Sequence, residues 1–593
     1  MRISLMKSGS DKIVYIVDSI RIDGKVKTKV IKRLGRLSDL EKEHPNALEY
    51  CKNEAMRLTE EKKLDEDNFI VKFFPTRELE FDKQVQFNAG YLFLQKIYYG
   101  LKLDKVCLEI SEKYKFDYDL NKILKDLIFS RIIYPSSKLS TYKLAKNFLE
   151  QPNYELHDIY RSLTILAKEM NSIQAKLYKN SSRIIKRNTS VLYYDCTNYF
   201  FEIEKEDALR KYGVSKEHRP NPIVQMGLFM DADGVPLAFN INPGNTSEQV
   251  TVRPLEEMII KDFNLSKFIY CSDAGLGSYN NRWFNSIQNR SFIVSQSLKK
   301  LPKDVLNIIF NNENIKWKTI DNKHSYKHTT EIDELNEENK QEIIDTVYKK
   351  IPLTDKQIQV LIDGDKFPAN LKEQDLIVTY SYKYKVYQQR IRKEQFERAR
   401  KLIDSKKKFH KTNVNDCRRF IKNLSFNKDG ELVNENILML DEELYNEESK
   451  FDGYYCIATN LQDNVKTIIN INHNRWQIEE SFIIMKTELD SGTVYLQRED
   501  RIKAHFLTCF IALLVTRILE KQIDAEQKNY SISQIINKLK ELNLVKVSDE
   551  GFIPSFTNEH LLIDLASKFN IPLTKQAYRV SKIKKIIKHF NDK

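Results

Sequence analysis

Asn472-His473-Asn474-Arg475-Trp476-Gln477-Ile478-Glu479-Glu480-Ser481-Phe482-Ile483-Ile484-Met485-Lys486 contains neither Gly nor Pro and continues an apolar run, Thr467–Ile471. That pattern predicts one uninterrupted helix. At 3.6 residues per turn, Glu479 falls about 40° round from Arg475, and Lys486 about 20° from it. Phe482 lies between them, so an arginine, a carboxylate, an aromatic ring and a lysine form one stripe. Alone, the stripe reads as an amphipathic helix with i,i+4 charge pairs. Its neighbours along the chain give it another meaning.

Upstream lies a core-like strand, Gly453–Asn460, and downstream a buried helix, Phe506–Leu519. Further back, Ser190–Ile203 is β-rich and aromatic, and Pro222–Met230 with Val235–Asn242 reads as a hairpin across Asp231-Ala232-Asp233-Gly234. A helix over 250–262, a short strand Phe268–Cys271, a helix over 278–288 and a strand over 291–296 follow. The predicted order is β-β-β-α-β-α-β, a mixed α/β sheet with three antiparallel strands and then parallel ones. Residues 297–449 are lysine-rich and break this regularity, with strand candidates at Ile315–Ile320 and Leu376–Tyr387, a basic helix over 388–404 and the run Lys406-Lys407-Lys408. They read as an insertion.

The chain has 593 residues, too long for one core, and a net charge of +13, which favours a polyanionic partner. Residues 1–75 are predicted as a β-hairpin turning at Asp23-Gly24 plus a helix near 39–62. Residues 76–188 are predicted as an all-α, DNA-binding region, with Lys138, Lys143 and Lys146 on one exposed side. The α/β core would then occupy 189–296 and 450–525, the insertion 297–449, and a basic C-terminal region 526–593. Seven cysteines without a CxxC pair indicate neither a zinc ribbon nor a disulfide framework and fit a reducing, cytoplasmic compartment. No membrane partner is expected: the longest apolar run, Phe506–Val515, is about half a bilayer span.

Three acids stand out by position. Asp195 sits inside an apolar strand, where an unpaired charge is costly unless it binds something. Asp273 follows a strand's C-terminal end, the usual place for site residues in α/β sheets. Glu479 faces out from the helix quoted first. Carboxylates on converging rigid elements suit Mg²⁺, and two such ions about 4 Å apart support phosphodiester transfer.

Together these features resemble the ribonuclease-H-like DDE transposases of bacterial insertion sequences. Arg475-x3-Glu479-x6-Lys486 is similar to the Tyr-x2-Arg-x3-Glu-x6-Lys signature of the insertion-sequence-four superfamily. Tyr194-Asp195-Cys196-Thr197, Asp273-Ala274-Gly275, Trp476-x-Ile478-Glu479-Glu480-Ser481-Phe482 and Arg501-Ile502-x-Ala504-His505 resemble its large branch, named after insertion sequence 1634. One residue departs: Asn472 stands where the signature has tyrosine. The resemblance implies a transposase that binds double-stranded DNA at its element's ends and joins them to target DNA, as a dimer in a synaptic complex. It implies Asp195, Asp273 and Glu479 as ligands of two Mg²⁺ ions, for which Mn²⁺ can substitute. Arg475, Lys486 and Asn472 would contact phosphate; Lys216, His218 and Arg219 would hold DNA; and Trp317, in the insertion, would stack on a flipped base. The alternatives are a domesticated DNA-binding protein without chemistry, and a metal-dependent nuclease of the same fold.

Overall fold

The computed structural model describes the chain except residues 10, 23–24, 68–74, 77, 79, 339–345, 355–356, 359–373, 405–415, 427–431, 525–529, 548–550 and 592–593. The predicted turn at Asp23-Gly24 and the run Lys406–Lys408 lie outside the described residues. Two compact units emerge, one from residues 1–93, 147–149 and 538–593, the other from 94–146 and 150–537. The boundaries expected at 188 and 297 therefore do not separate compact units.

In the first unit, the N-terminal module is a three-stranded antiparallel sheet of β1 (Arg2–Ser8), β2 (Asp11–Ile22) and β3 (Lys25–Arg36), where the sequence predicted a two-stranded hairpin. The expected single helix is two, α1 (Leu37–Glu43) and α2 (Ala47–Asp67). Pro45 explains the break: a residue before proline avoids the helical region, and His44 is extended at φ −131°, ψ 121°. A strand at Gln86–Asn88 (β4) pairs with residues 543–545 near the C-terminus, a long-range match that local patterning does not reveal.

The second unit begins with helices. After α3 (Tyr91–Gly100), which crosses from the first unit, come α4 (Leu103–Tyr114), α5 (Leu120–Ile133), α6 (Lys138–Leu144), α7 (Leu156–Lys168) and α8 (Met170–Ser181). Twelve consecutive residues of α5, Lys122 to Ile133, are buried, so it is the axis of the bundle and presents no free face. Lys143 and Lys146 are exposed as expected, but Lys138 is not; only 5% of it is accessible.

The sheet follows. Its central strand, β5 (Val191–Phe200), is buried on both faces, which is why it reads as an aromatic run and not as an alternation. It pairs antiparallel with β6 (Ile223–Asp231), which pairs antiparallel with β7 (Pro236–Pro243). After α9 (Glu248–Asp262), β8 (Ile269–Ser272) returns parallel to β5; after α10 (Tyr279–Phe284), β9 (Ser291–Ser295) lies parallel to β8. The predicted order of antiparallel and then parallel strands is what the chain forms.

Residues of the expected insertion do not stand apart from this sheet. After α11 (Lys303–Asn311) come β10 (Trp317–Thr319), β11 (Ser325–Tyr326), β12 (Val347–Leu353) and β13 (Gln374–Tyr380). They extend the same sheet through β16 (Tyr454–Thr459), giving ten strands in the order β11-β10-β12-β13-β16-β9-β8-β5-β6-β7. The apolar residues of both parts share one core, from Leu192 and Phe229 to Trp317 and Val378. Among the described residues of this part, only β14 (Ile421–Phe426) and β15 (Leu432–Leu440) pair outside it. The strand expected to reach Tyr387 ends at Tyr380, and a helix runs from Tyr382 to Asp404.

A helix over Glu499–Asp524 passes through the middle of this unit, against α5, α7 and β7. It is the one helix among the described residues long and apolar enough to cross a membrane, and its apolar side chains are buried in the protein core.

Candidate active site

Strand register brings the two aspartates together. Tyr194 on β5 is the partner of Ser272, the last residue of β8. Asp195, still within β5, and Asp273, just past the end of β8, are each the next residue along, so they sit side by side where neighbouring strands lie about 4.8 Å apart. The helix Trp476–Thr487 packs against β5 and brings Glu479 to that edge.

The predicted single helix over this stretch is two, Val465–His473 and Trp476–Thr487, joined at Asn474-Arg475. Neither Pro nor Gly makes the joint. In a continuous helix the Ile471 carbonyl would accept from the Arg475 N–H. Here Tyr193 Oη donates to that carbonyl at 3.1 Å, and Arg475 N–H turns to Asn472 O at 3.3 Å. A tyrosine of the central strand thus takes one backbone acceptor and tightens the helix by a residue.

Arg475, at this joint, is the centre of the carboxylates. Its Nη1 donates to Glu479 Oε1 at 3.2 Å, and its Nη2 is 3.8 Å from Asp273 Oδ1. Burial works against its charge, but Asp273, Tyr455, Glu479 and Asp195 hold its proton more tightly than usual. Burial pushes the Asp195 carboxyl up to about 6; Lys216, the Cys196 N–H and Arg475 pull it down, and Glu248 adds a further push upward. At Asp195 burial therefore outweighs the two nearby cations.

Glu480, the neighbour that could rival Glu479, points elsewhere and accepts from Arg517 Nη2 at 2.6 Å. About 100° of helix rotation separates the two side chains.

Family comparison decides what this edge belongs to. The model of the transposase DDE domain matches residues 200–515, over half of the chain, and that of the IS1634 family transposase N-terminal domain matches residues 2–67. The chain is an IS1634-family DDE transposase. The DDE match contains Asp273 and Glu479 and begins just after Asp195. No curated protein matches the transposase in sequence. Among solved structures, the piggyBac transposase, in the cryo-EM structure of its synaptic complex with hairpin DNA, is 8% identical to it. That likeness covers 85% of this chain and 84% of the other at a TM-score of 0.34.

The other expected site residues of the transposase differ in their surroundings. Lys216 lies beside Asp195, and Lys486 is about two turns along the helix from Glu479; both are already engaged. Lys486 Nζ binds Glu217 Oε1 at 2.9 Å and lies 5.3 Å over the Tyr199 ring. Lys216 Nζ donates to the Cys196 carbonyl and is 3.4 Å from Glu248 Oε1. His218 and Arg219 are exposed on the same loop, His218 with a left-handed φ of 55° and Arg219 stacked 4.2 Å above the Phe200 ring. Asn472 Nδ2 donates to Tyr455 Oη at 3.2 Å, while its buried Oδ1 has no partner.

Trp317 does not reach the site's surface. It is 2% exposed, with Tyr454 5.8 Å and Tyr380 6.4 Å away and Lys349 Nζ 5.0 Å over its ring. A ring buried in this way offers no platform to a base, so the stacking expected of Trp317 does not fit its position in the core. Trp317→Ala is expected to cost about 3–5 kcal/mol of stability, the usual range for a buried Trp. Denaturant unfolding checks this; a loss under about 1 kcal/mol would free the ring for a surface role. Trp476, at the start of the helix that carries Glu479, is 50% exposed.

Two residues at the site were not singled out from the sequence. Glu248 begins α9 as an unremarkable first-turn acid, and Tyr455 is one of two adjacent tyrosines on β16. Only the tertiary arrangement puts them beside Asp195 and Arg475.

Proposed function

We propose that the transposase binds the terminal inverted repeats of its element, cuts the strands there, and joins the 3′ ends to target DNA. Asp195, Asp273 and Glu479 would hold two Mg²⁺ ions, with Mn²⁺ able to substitute. The observation that carries this reading is the convergence of three carboxylates, one within β5, one just past the end of β8 and one on a helix, around the single guanidinium of Arg475. The 3-2-1-4-5 order of β7-β6-β5-β8-β9, with its antiparallel and parallel pairings, supports a ribonuclease-H-like core.

The donor set fits a hard divalent cation: all three groups are carboxylates on rigid elements. As they stand, no three acidic, His or Cys groups among the described residues are close enough to share an ion. Arg475 lies among them as an internal counter-charge, so an ion would displace its contacts with Asp273 and Glu479. When bound, the ions would activate the attacking water or hydroxyl and stabilise the leaving oxygen. The chain's own part is to hold the carboxylates in register and to grip phosphate: Arg475 with a planar fork, Lys486 and Lys216 as point charges. Asn472 would contact phosphate beside them, and the Tyr455 hydroxyl supplies a phenol there from another strand. A dimer on two DNA ends and a cytoplasmic site of action go with this reading.

The test is incubation of the full chain with duplex DNA carrying the element ends, with Mg²⁺, Mn²⁺ or EDTA. Ion-dependent nicking at the element boundary followed by joining is expected. Binding without cutting would leave a DNA-binding protein, and cutting without joining a nuclease.

A further inference from the structure

Arg131, Lys138 and His505 are 2%, 5% and 2% exposed, and all three line one cavity of about 570 Å³. Ser136, Ser137 and Tyr160 complete its helical side, and the loop Thr493–Leu496 forms the opposite wall. Cations buried this deeply normally sit beside a carboxylate, because the cost of removing them from water has to be offset. Here they do not. Arg131 donates from Nη1 to the Leu489 and Asp490 carbonyls, both at 3.2 Å, and from Nη2 to Ser136 O at 2.8 Å. Its Nε has no partner, and neither has the buried Ser136 Oγ.

Lys138 Nζ meets His505 Nδ1 at 3.3 Å, and His505 Nε2 faces the Ser491 carbonyl at 3.1 Å. A carbonyl only accepts, so Nε2 carries the proton and Nδ1 offers its lone pair to the lysine. The imidazole is neutral; burial first, then Lys138 and Arg131, hold its pKa well below the ordinary value. Burial and then Arg131 lower that of Lys138 to about 7. No acidic residue lines the cavity. Arg131 with an unspent N–H, the Lys138 amine and the Ser136 hydroxyl thus line a cavity with no acidic residue in its wall.

We propose that this cavity receives a backbone phosphate of a DNA strand, with Lys138, Arg131 and the Ser136 hydroxyl as its donors. The proposal rests on the DNA-cutting reading above and adds an anchoring point away from the three carboxylates. The wall Thr493–Leu496 is shared with a second cavity of about 610 Å³, which reaches Tyr199 and Lys486. Tyr495, on that wall, is 75% exposed. A strand crossing Tyr495 would therefore connect the catalytic helix to the cationic cavity.

The test uses the full chain, inorganic phosphate as a small probe, and duplex DNA with the element ends. At matched ionic strength, phosphate is expected to raise the wild-type Tm by about 3 °C over chloride. It should also compete with DNA, and Lys138→Met should abolish both effects. The same substitution should weaken DNA binding about tenfold at moderate salt and reduce the slope of log K against log salt by about 0.7–0.9, one phosphate contact. Should Lys138→Met not fold, Ser136→Ala and wild-type competition carry the same readout. Unchanged DNA affinity and salt slope in the variants overturn the proposal, even if phosphate still stabilises, since the cavity would then take only the free ion. Phosphate that competes with DNA no better than chloride overturns it as well. Loss of cutting with phosphate-sensitive DNA binding retained would count against the catalytic reading alone.

Discussion

Asp195→Asn, Asp273→Asn and Glu479→Gln are each expected to lower strand cleavage by about 10³-fold or more, because ligands of a catalytic ion act on the chemical step. Binding to element ends should remain within about threefold, since affinity for DNA comes from many phosphate contacts. The three variants should differ in stability. Burial holds the pKa of the Asp195 carboxyl raised, from 3.8 to about 6. Between those two values the unfolded chain ionises while the folded one keeps its proton, so stability falls as pH rises through that window and is level above it. Asp195→Asn removes this loss. In EDTA it should be more stable than wild type by about 1–3 kcal/mol at pH 7.5, and the gain should vanish below about pH 4. Denaturant titrations at several pH values would show it. A variant no more stable at pH 7.5 than at pH 4, relative to wild type, would mean that Asp195 already has its counter-charge. Cleavage near the wild-type rate in any of the three would remove that residue from the catalytic set.

Arg475→Ala is expected to bind Mn²⁺ about tenfold more tightly while cutting DNA about 10²-fold more slowly. The two effects oppose each other for a physical reason. The guanidinium now occupies Asp273 and Glu479, at 3.8 and 3.2 Å, and must give them up to an incoming cation. Once displaced, it would neutralise phosphate beside the reacting strand, and that contribution is lost with it. Arg475→Lys should bind the ion like wild type but recover only part of the rate, because an ammonium cannot span two acceptors as a planar fork does. Calorimetry with Mn²⁺ separates the outcomes. Weaker ion binding in Arg475→Ala would make the arginine part of the framework that orients the carboxylates.

Much of this site was legible in the chain itself. An aspartate within the buried run Val191–Phe200, another directly after a short apolar strand, and Arg-x3-Glu-x6-Lys on a helix are local patterns, and local patterns survive without a partner. The order of strands and helices around them was equally open to periodicity.

Tertiary structure decided what depends on residues far apart in the chain. The helix through Ile471 is broken because Tyr193, on another element, takes a backbone carbonyl; no residue within the helix signals it. Trp317 lies in the core and not on the surface because β10 to β13 join the central sheet through β16, and an alternating strand looks the same whether its apolar face meets a partner or a ligand. Lys138 had the spacing of a surface lysine, yet its side is closed by the helix that carries His505. Sequence periodicity specifies which face of an element is apolar, while burial of a charge depends on what packs against it. That is why the carboxylates could be read from the residues, whereas Arg475 between them, Glu248 and Tyr455 beside them, and the cationic cavity appeared only when distant segments met.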